Sequence, residues 1–187
     1  MPQSVADWTN GLLGVDSVPS PTFDLLERHM TSANTQGLVT DIAGLRDRAG
    51  THIGYTDWQD MTQERVDQFA DATDDHQFIH VDVEKAKQTP FGGTIAHGFL
   101  TLSLVAPVSQ RLMQVTDAVM GVNYGLDRVR FPAPLPVGAH WRGGMEIVEV
   151  SEIPGGMQIK SRITIEVKDS EKPACVADSL VRVYGGG

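Results

Sequence analysis

Four runs of alternating apolar and polar residues fill the C-terminal part of the chain, a pattern typical of β-strands. They cover about residues 119–131, 140–150, 157–168 and 174–184. Breaks rich in proline, glycine and charge separate them: "PAPLPVG", "IPGG" and "DSEKP". Because these breaks are short, the pattern predicts a string of antiparallel strands.

Helical spacing appears before these strands. In "MTQERVDQFADAT", Thr62 is a good N-cap, and Val66, Phe69 and Ala70 recur on one helical face. The run "IAHGFLTLSLVAPVSQRLMQV" predicts a long helix that begins near His97 and is apolar almost all round. Such a helix must be covered on every side. We therefore predict an α+β fold in which an antiparallel sheet wraps around one long apolar helix.

The chain divides by composition near residue 50. Residues 1 to about 40 are rich in Ser, Thr, Pro, Asn and Gly, and residues 1–50 predict an N-terminal extension with short helices in "TFDLLERHM" and "GLVTDIAGLRDRAG". Residues 51–187 predict one domain that opens with a strand in "THIGYTDWQDM". The total of 187 residues suits one domain and an extension.

Charge and cysteine content narrow the classes of function. The net charge of -9 disfavours a general nucleic-acid binder, which needs clustered Lys and Arg. The single cysteine, Cys175, allows no disulfide and no cysteine cluster for a metal within one chain. We recognise no secretory leader and no apolar run long enough to span a bilayer, so we expect a cytoplasmic protein without a membrane partner.

The stretch "DATDDHQFIHVD" carries the first candidate chemistry. Apolar Phe78 and Ile79 would fix the segment to the core while Asp75 and His80 hold and polarise a water molecule. Two other interpretations stay open. His80 would be a core histidine bonded to a carbonyl group with Asp75 as a helix cap, or His76 and His80, four residues apart, would bind zinc. The zinc interpretation is disfavoured because the segment lacks the glutamate of the zinc-protease motif.

The second candidate stretch is "FGGTIAHGFLTLSLV". It places His97 and Gly98 at the start of the apolar helix, where backbone N–H groups lack intrahelical partners. With no side chain on Gly98, a substrate carbonyl could approach its amide, as in an oxyanion hole. The alternative is that Gly98 only allows close packing of the helix on the sheet.

Together, "FADATDDHQFIHVDVEKA" and "PFGGTIAHGFLTLSL" resemble the MaoC-like family of hot-dog-fold hydratases, which includes R-specific enoyl-CoA hydratases. The resemblance covers about residues 50–184 and is strongest to the nodulation-protein-N-like branch. It implies Asp75 and His80 as the catalytic pair, Gly98 as the oxyanion amide, and Thr101 as the residue that steadies the aspartate. Gln77 and Phe78 depart from the Asn-Pro that the family usually has at these positions.

The resemblance implies addition of water to a trans-2-enoyl thioester, giving an (R)-3-hydroxyacyl thioester. The substrate would carry coenzyme A or acyl carrier protein, and no metal or other cofactor is expected. Further candidate substrate-binding residues are Gln77, Phe78, His97, Arg128 and Arg130. We expect a homodimer. The alternatives are an acyl-CoA thioesterase on the same fold and a non-catalytic acyl-thioester-binding subunit.

Overall fold

The structure is a computed structural model that describes residues 37–185. The helix predicted in "TFDLLERHM" lies outside these residues. Within them, no helix is long and apolar enough to cross a membrane. The strands are β1 (Leu38–Thr40), β2 (Thr51–Tyr55), β3 (Gln59–Asp60), β4 (Met113–Val115), β5 (Ala118–Arg130), β6 (His140–Ile153), β7 (Gly156–Val167) and β8 (Cys175–Gly185). The helices are α1 (Gln63–Thr73), α2 (Phe78–Val81), α3 (Val83–Ala86), α4 (Gly98–Ser103) and α5 (Val105–Leu112), with a 3₁₀ helix at Ala43–Arg48.

One antiparallel sheet organises the domain. Its strand order is β2-β6-β7-β8-β5, and β3 pairs with a second part of β6. The four predicted C-terminal strands are confirmed as β5 to β8. The strand predicted over 51–61 is interrupted between β2 and β3, where the Thr56 hydroxyl accepts a hydrogen bond from the Gly143 amide. The helix predicted over 37–50 is instead β1 followed by the 3₁₀ helix, because β1 pairs in parallel with β4.

The core lies between the inner face of this sheet and the helices α4 and α5. Alternate residues of β7, among them Ile159, Ile163 and Ile165, are fully buried and belong to the same cluster as Leu104 and Val108. At Gly143 in β6 the close approach of α5 requires glycine, since a Cβ there would overlap the Val108 methyl groups. The sheet therefore wraps around the apolar helix as predicted.

The long helix expected from residue 97 to 115 is shorter and divided. It begins after His97, breaks at Leu104, and ends at Leu112. The break has a local cause, because Pro107 has no N–H to donate to the Ser103 carbonyl four residues earlier. At the break, the Leu104 amide donates to the Thr101 carbonyl, three residues earlier, at 3.3 Å, as in a 3₁₀ turn. Beyond Leu112 the chain turns into β4 because it pairs there with β1.

Candidate active site

The first catalytic candidates lie where α1 gives way to α2. Thr62 caps α1, its hydroxyl accepting a hydrogen bond from the Arg65 amide, and the helix ends at Asp74 in the left-handed conformation with φ of 58°. This reversal places Asp75 in an exposed loop. The chain then forms α2, in which the His80 amide bonds the Gln77 carbonyl at 2.9 Å. Asp75 and His80 are thus carried by one bend.

His80 is buried, with 6% of its surface exposed. Its Nδ1 lies 2.7 Å from the carbonyl oxygen of Ile95. A carbonyl only accepts hydrogen bonds, so Nδ1 carries the proton and a neutral ring has its lone pair on Nε2. Burial lowers the pKa of His80, the Ile95 bond and Asp75 raise it, and His97 lowers it, with a net decrease. The lowered pKa favours the neutral imidazole, whose Nε2 lone pair is available to accept a hydrogen bond.

Three side chains meet at this bend. A carboxylate oxygen of Asp75 and one ring nitrogen each from His80 and His97 all lie within 4.8 Å of one another. The two imidazole rings are stacked, with centroids 3.8 Å apart and an angle of 27° between their planes. The His97 Nε2 lies 2.9 Å from the backbone carbonyl oxygen of Asp75. One carboxylate and one imidazole can therefore share a bound water molecule.

Gly98 follows His97 directly and is the first residue of α4. It is exposed, and by its position its amide has no intrahelical partner. A Cβ built on Gly98 would lie 3.5 Å from the Phe131 ring, which is an ordinary contact. Close packing therefore does not require glycine here, whereas it does at Gly143. A role for the Gly98 amide as an oxyanion donor stays a prediction.

Thr101 lies one helical turn further along α4 and is buried. Its hydroxyl donates to the His97 carbonyl oxygen at 3.0 Å, and its amide bonds the same oxygen at 2.9 Å. The hydroxyl oxygen can still accept a further hydrogen bond. A role for Thr101 in steadying Asp75 stays a prediction.

The other candidate substrate-binding residues are Gln77, Phe78, Arg128 and Arg130. Gln77 is exposed, and Phe78 is half-buried with the Lys85 ammonium nitrogen 4.3 Å from its ring centroid. Arg128 and Arg130 are exposed near the end of β5, and an Arg130 guanidinium N–H donates to the Val129 carbonyl. Phe131 directly follows β5, and its ring lies next to Gly98. This end of β5 therefore lies beside the start of α4.

Asp75, His80 and His97 form the one group with ligand types suited to a metal in the described part of the chain. The stacked rings fit a metal poorly, because ring lone pairs lie in the ring planes and nearly parallel planes do not direct them at one point. One nitrogen of each ring also faces a carbonyl oxygen. His76, from the zinc interpretation, lies outside the cluster, with Nε2 3.7 Å from an Asp71 carboxylate oxygen.

The sequence did not reveal a cleft of about 510 Å³ between the helices α4 and α5 and the inner face of β5 and β8. Its walls are mostly apolar and include Phe99, the residue that follows Gly98 in the sequence. Helical periodicity showed that the helix is apolar all round, but not that one side faces a cleft. Residues on its walls include Leu102, Val105, Leu126, Asn123, Ser179 and Val181.

Comparison with known proteins identifies the family of this chain. The family model described as MaoC like domain matches residues 45–170. The chain belongs to the MaoC-like domain family. The 3-hydroxyacyl-thioester dehydratase Z of Mycobacterium tuberculosis is 49% identical over 142 residues, covering 75% of this chain and 94% of that protein. Nodulation protein N of Rhizobium leguminosarum bv. viciae is 41% identical over 140 residues, covering 73% of this chain and 87% of that protein.

A solved structure shares the fold of this chain. The R-hydratase PhaJ1 from Pseudomonas aeruginosa, in its unliganded form, superimposes with a TM-score of 0.61 over 74% of this chain and 83% of that chain, at 17% identity. The hot-dog fold predicted from the sequence is thereby confirmed. Membership of this family of hydratases and dehydratases supports a hydro-lyase acting on thioesters.

Proposed function

We propose that this MaoC-like protein interconverts trans-2-enoyl thioesters and (R)-3-hydroxyacyl thioesters by adding or removing water. The observation that carries the proposal is the bend where Asp75 and a buried His80 with a free Nε2 lone pair come within 4.8 Å. The 3-hydroxyacyl-thioester dehydratase Z, at 49% identity, supports the same class of substrate.

The chemistry follows from where charge develops. Conjugation with the thioester carbonyl makes C3 of the enoyl group electrophilic. As a water molecule held by Asp75 and His80 attacks C3, negative charge collects on the carbonyl oxygen as an enolate. The Gly98 amide at the start of α4 stabilises that oxygen. The Asp75–His80 pair takes the proton from water and returns one to C2, so no cofactor is required. Dehydration follows the same steps in reverse.

The cleft beside α4 accounts for the rest of the substrate. A carbonyl oxygen at Gly98 would direct the acyl chain toward Phe99 and the apolar walls of the 510 Å³ cleft. The carrier, coenzyme A or acyl carrier protein, would leave at the exposed side. There Arg128 and Arg130 near the end of β5 would contact its phosphates, because guanidinium groups bind phosphate with paired hydrogen bonds.

The exposed edge of β5 favours a homodimer. Among the described strands β5 pairs only with β8, so its other edge is open. Large apolar side chains on and beside it are exposed: Phe99 by 73%, Val119 by 71%, Tyr124 by 54% and Met120 by 51%. A second copy of the chain would cover this surface and close the cleft. Sedimentation equilibrium of the wild type and of Val119→Lys tests this, with a dimer expected only for the wild type. A monomeric wild type would refute it.

The decisive experiment follows two signals in parallel. The full chain is mixed with crotonyl-CoA and with longer trans-2-enoyl-CoA substrates while loss of the conjugated absorbance and release of free thiol are recorded. We expect loss of absorbance without thiol and an (R)-3-hydroxyacyl product on a chiral column. Asp75→Asn should lower kcat by roughly 10²- to 10⁴-fold. Thiol release would show a thioesterase instead. Binding without turnover would show an acyl-thioester-binding subunit.

A further inference from the structure

His97 is the most deeply buried polar residue of the site, with only 1% of its surface exposed. A ring so enclosed offers almost no surface to a substrate. It contacts instead the proposed catalytic residues Asp75, His80 and Thr101. His97 must therefore act differently from Asp75 and Gly98, which are both exposed.

Three contacts link His97 to the residues that act. Its Nε2–H donates to the backbone carbonyl of Asp75, which ties down the exposed loop after α1. Its ring stacks on His80 at 3.8 Å, which fixes the plane of that imidazole. Its own carbonyl accepts hydrogen bonds from the amide and hydroxyl of Thr101, which sets the first turn of α4 behind Gly98.

We propose that His97 is a positioning residue: its Nε2–H and its stacked ring hold the Asp75 loop and the His80 imidazole at the geometry needed for water addition. The inference rests on the proposed hydratase function. It assigns His97 no contact with the substrate and no proton transfer of its own.

Packing alone does not explain a histidine at this position. Its Nδ1 is buried and has no hydrogen-bond partner among residues 37–185. An unpaired buried polar atom lowers stability, and a leucine would avoid that loss. The Phe69 ring, at a centroid distance of 5.0 Å, also provides an apolar neighbour that would suit a leucine. Among side chains of this size, histidine is the one that supplies both an N–H donor and a flat ring.

Three substitutions separate these features. His97→Gln keeps an N–H donor near the position of Nε2 but removes the ring. His97→Phe keeps a flat ring against His80 but removes the donor. His97→Leu removes both while filling a similar volume. Thr56→Val is the matched control, because it removes one buried hydrogen bond, to the Gly143 amide, from the connection between β2 and β3.

The experiment measures kcat, KM and thermal unfolding of each full-length variant with one enoyl-CoA substrate. A displacement of catalytic groups by about 1 Å lowers rates on the order of 10²-fold. We expect that loss in kcat for His97→Leu, with KM changed less than about threefold, and partial recovery in both His97→Gln and His97→Phe. Thr56→Val should lose thermal stability and keep its kcat. Should His97→Leu fail to fold, the other two variants carry the comparison.

Two results would overturn the inference. One is wild-type kcat in folded His97→Gln and His97→Phe. The other is a rise in KM at constant kcat, which would indicate substrate contact. Failure of the proposed function looks different, because the wild type itself would then not hydrate any enoyl thioester.

Discussion

Replacing Gly98 by proline removes the proposed oxyanion donor with little change elsewhere. Gly98 is the first residue of α4, where proline is well tolerated because its missing N–H has no intrahelical partner. The preceding His97 has φ of -58° and ψ of 144°, the extended conformation that a residue before proline prefers. The helix position and the conformation of His97 are therefore both compatible with Gly98→Pro.

The expected loss is that of one hydrogen-bond donor to a developing oxyanion. Removal of such a donor lowers kcat by about 10²- to 10³-fold, or roughly 3–4 kcal/mol of transition-state stabilisation. Because the donor acts mainly on the enolate, KM should change much less than kcat. The fold should be affected little, since even a full Cβ at this position makes only an ordinary contact with Phe131.

The assay compares Gly98→Pro with Gly98→Ala, which adds a methyl group and keeps the N–H. Initial rates of enoyl-CoA hydration give kcat and KM, and circular dichroism confirms that both variants melt near the wild type. We expect Gly98→Ala to lose less than about tenfold and Gly98→Pro at least tenfold more than that. If the two well-folded variants had equal kcat, the Gly98 amide would not be the oxyanion donor.

Three further predictions concern pH, packing and the thiol. Burial lowers the pKa of His80 below its usual 6.5, so the neutral base persists into mildly acidic solution. The acid limb of kcat/KM against pH should therefore have its midpoint below 6.5, and a midpoint above it would contradict the burial argument. Gly143→Ala should destabilise the fold by about 1–3 kcal/mol in urea unfolding through overlap with Val108. The double variant with Val108→Ala should lose less than the two single losses added, and strict additivity would refute the contact. Burial raises the pKa of the Cys175 thiol to about 11, so it should react with a thiol reagent only after unfolding, and rapid reaction of the native protein would contradict this.

The fold was predictable because its signals are local. Alternation along β6, β7 and β8 continues over many residues, and the apolar helix could only be placed against a sheet. The deviations come from pairing and from single backbone groups. β1 and β4 pair across more than seventy residues, which no local pattern shows. The helix break at Leu104 follows from the missing N–H of Pro107, a signal that the strong apolar periodicity concealed.

The site was only partly predictable from its motifs. Spacing brought Asp75 and His80 together, and the helix start marked Gly98. Burial is a three-dimensional property, so the sequence placed His97 among substrate-binding residues although its ring is enclosed. The interpretation of His80 as a core histidine bonded to a carbonyl describes a real contact, to Ile95. That contact is compatible with catalysis, because it uses Nδ1 and leaves Nε2 available.

His80→Asn gives the most direct test that the Asp75–His80 pair activates water. An asparagine amide reaches about as far as the imidazole Nδ1, so the variant can keep the hydrogen bond to Ile95 while losing the Nε2 lone pair. In a well-folded variant, we predict that kcat for enoyl-CoA hydration falls by roughly 10²- to 10⁴-fold with little change in melting temperature. A folded His80→Asn protein that hydrates enoyl-CoA at the wild-type rate would contradict the account.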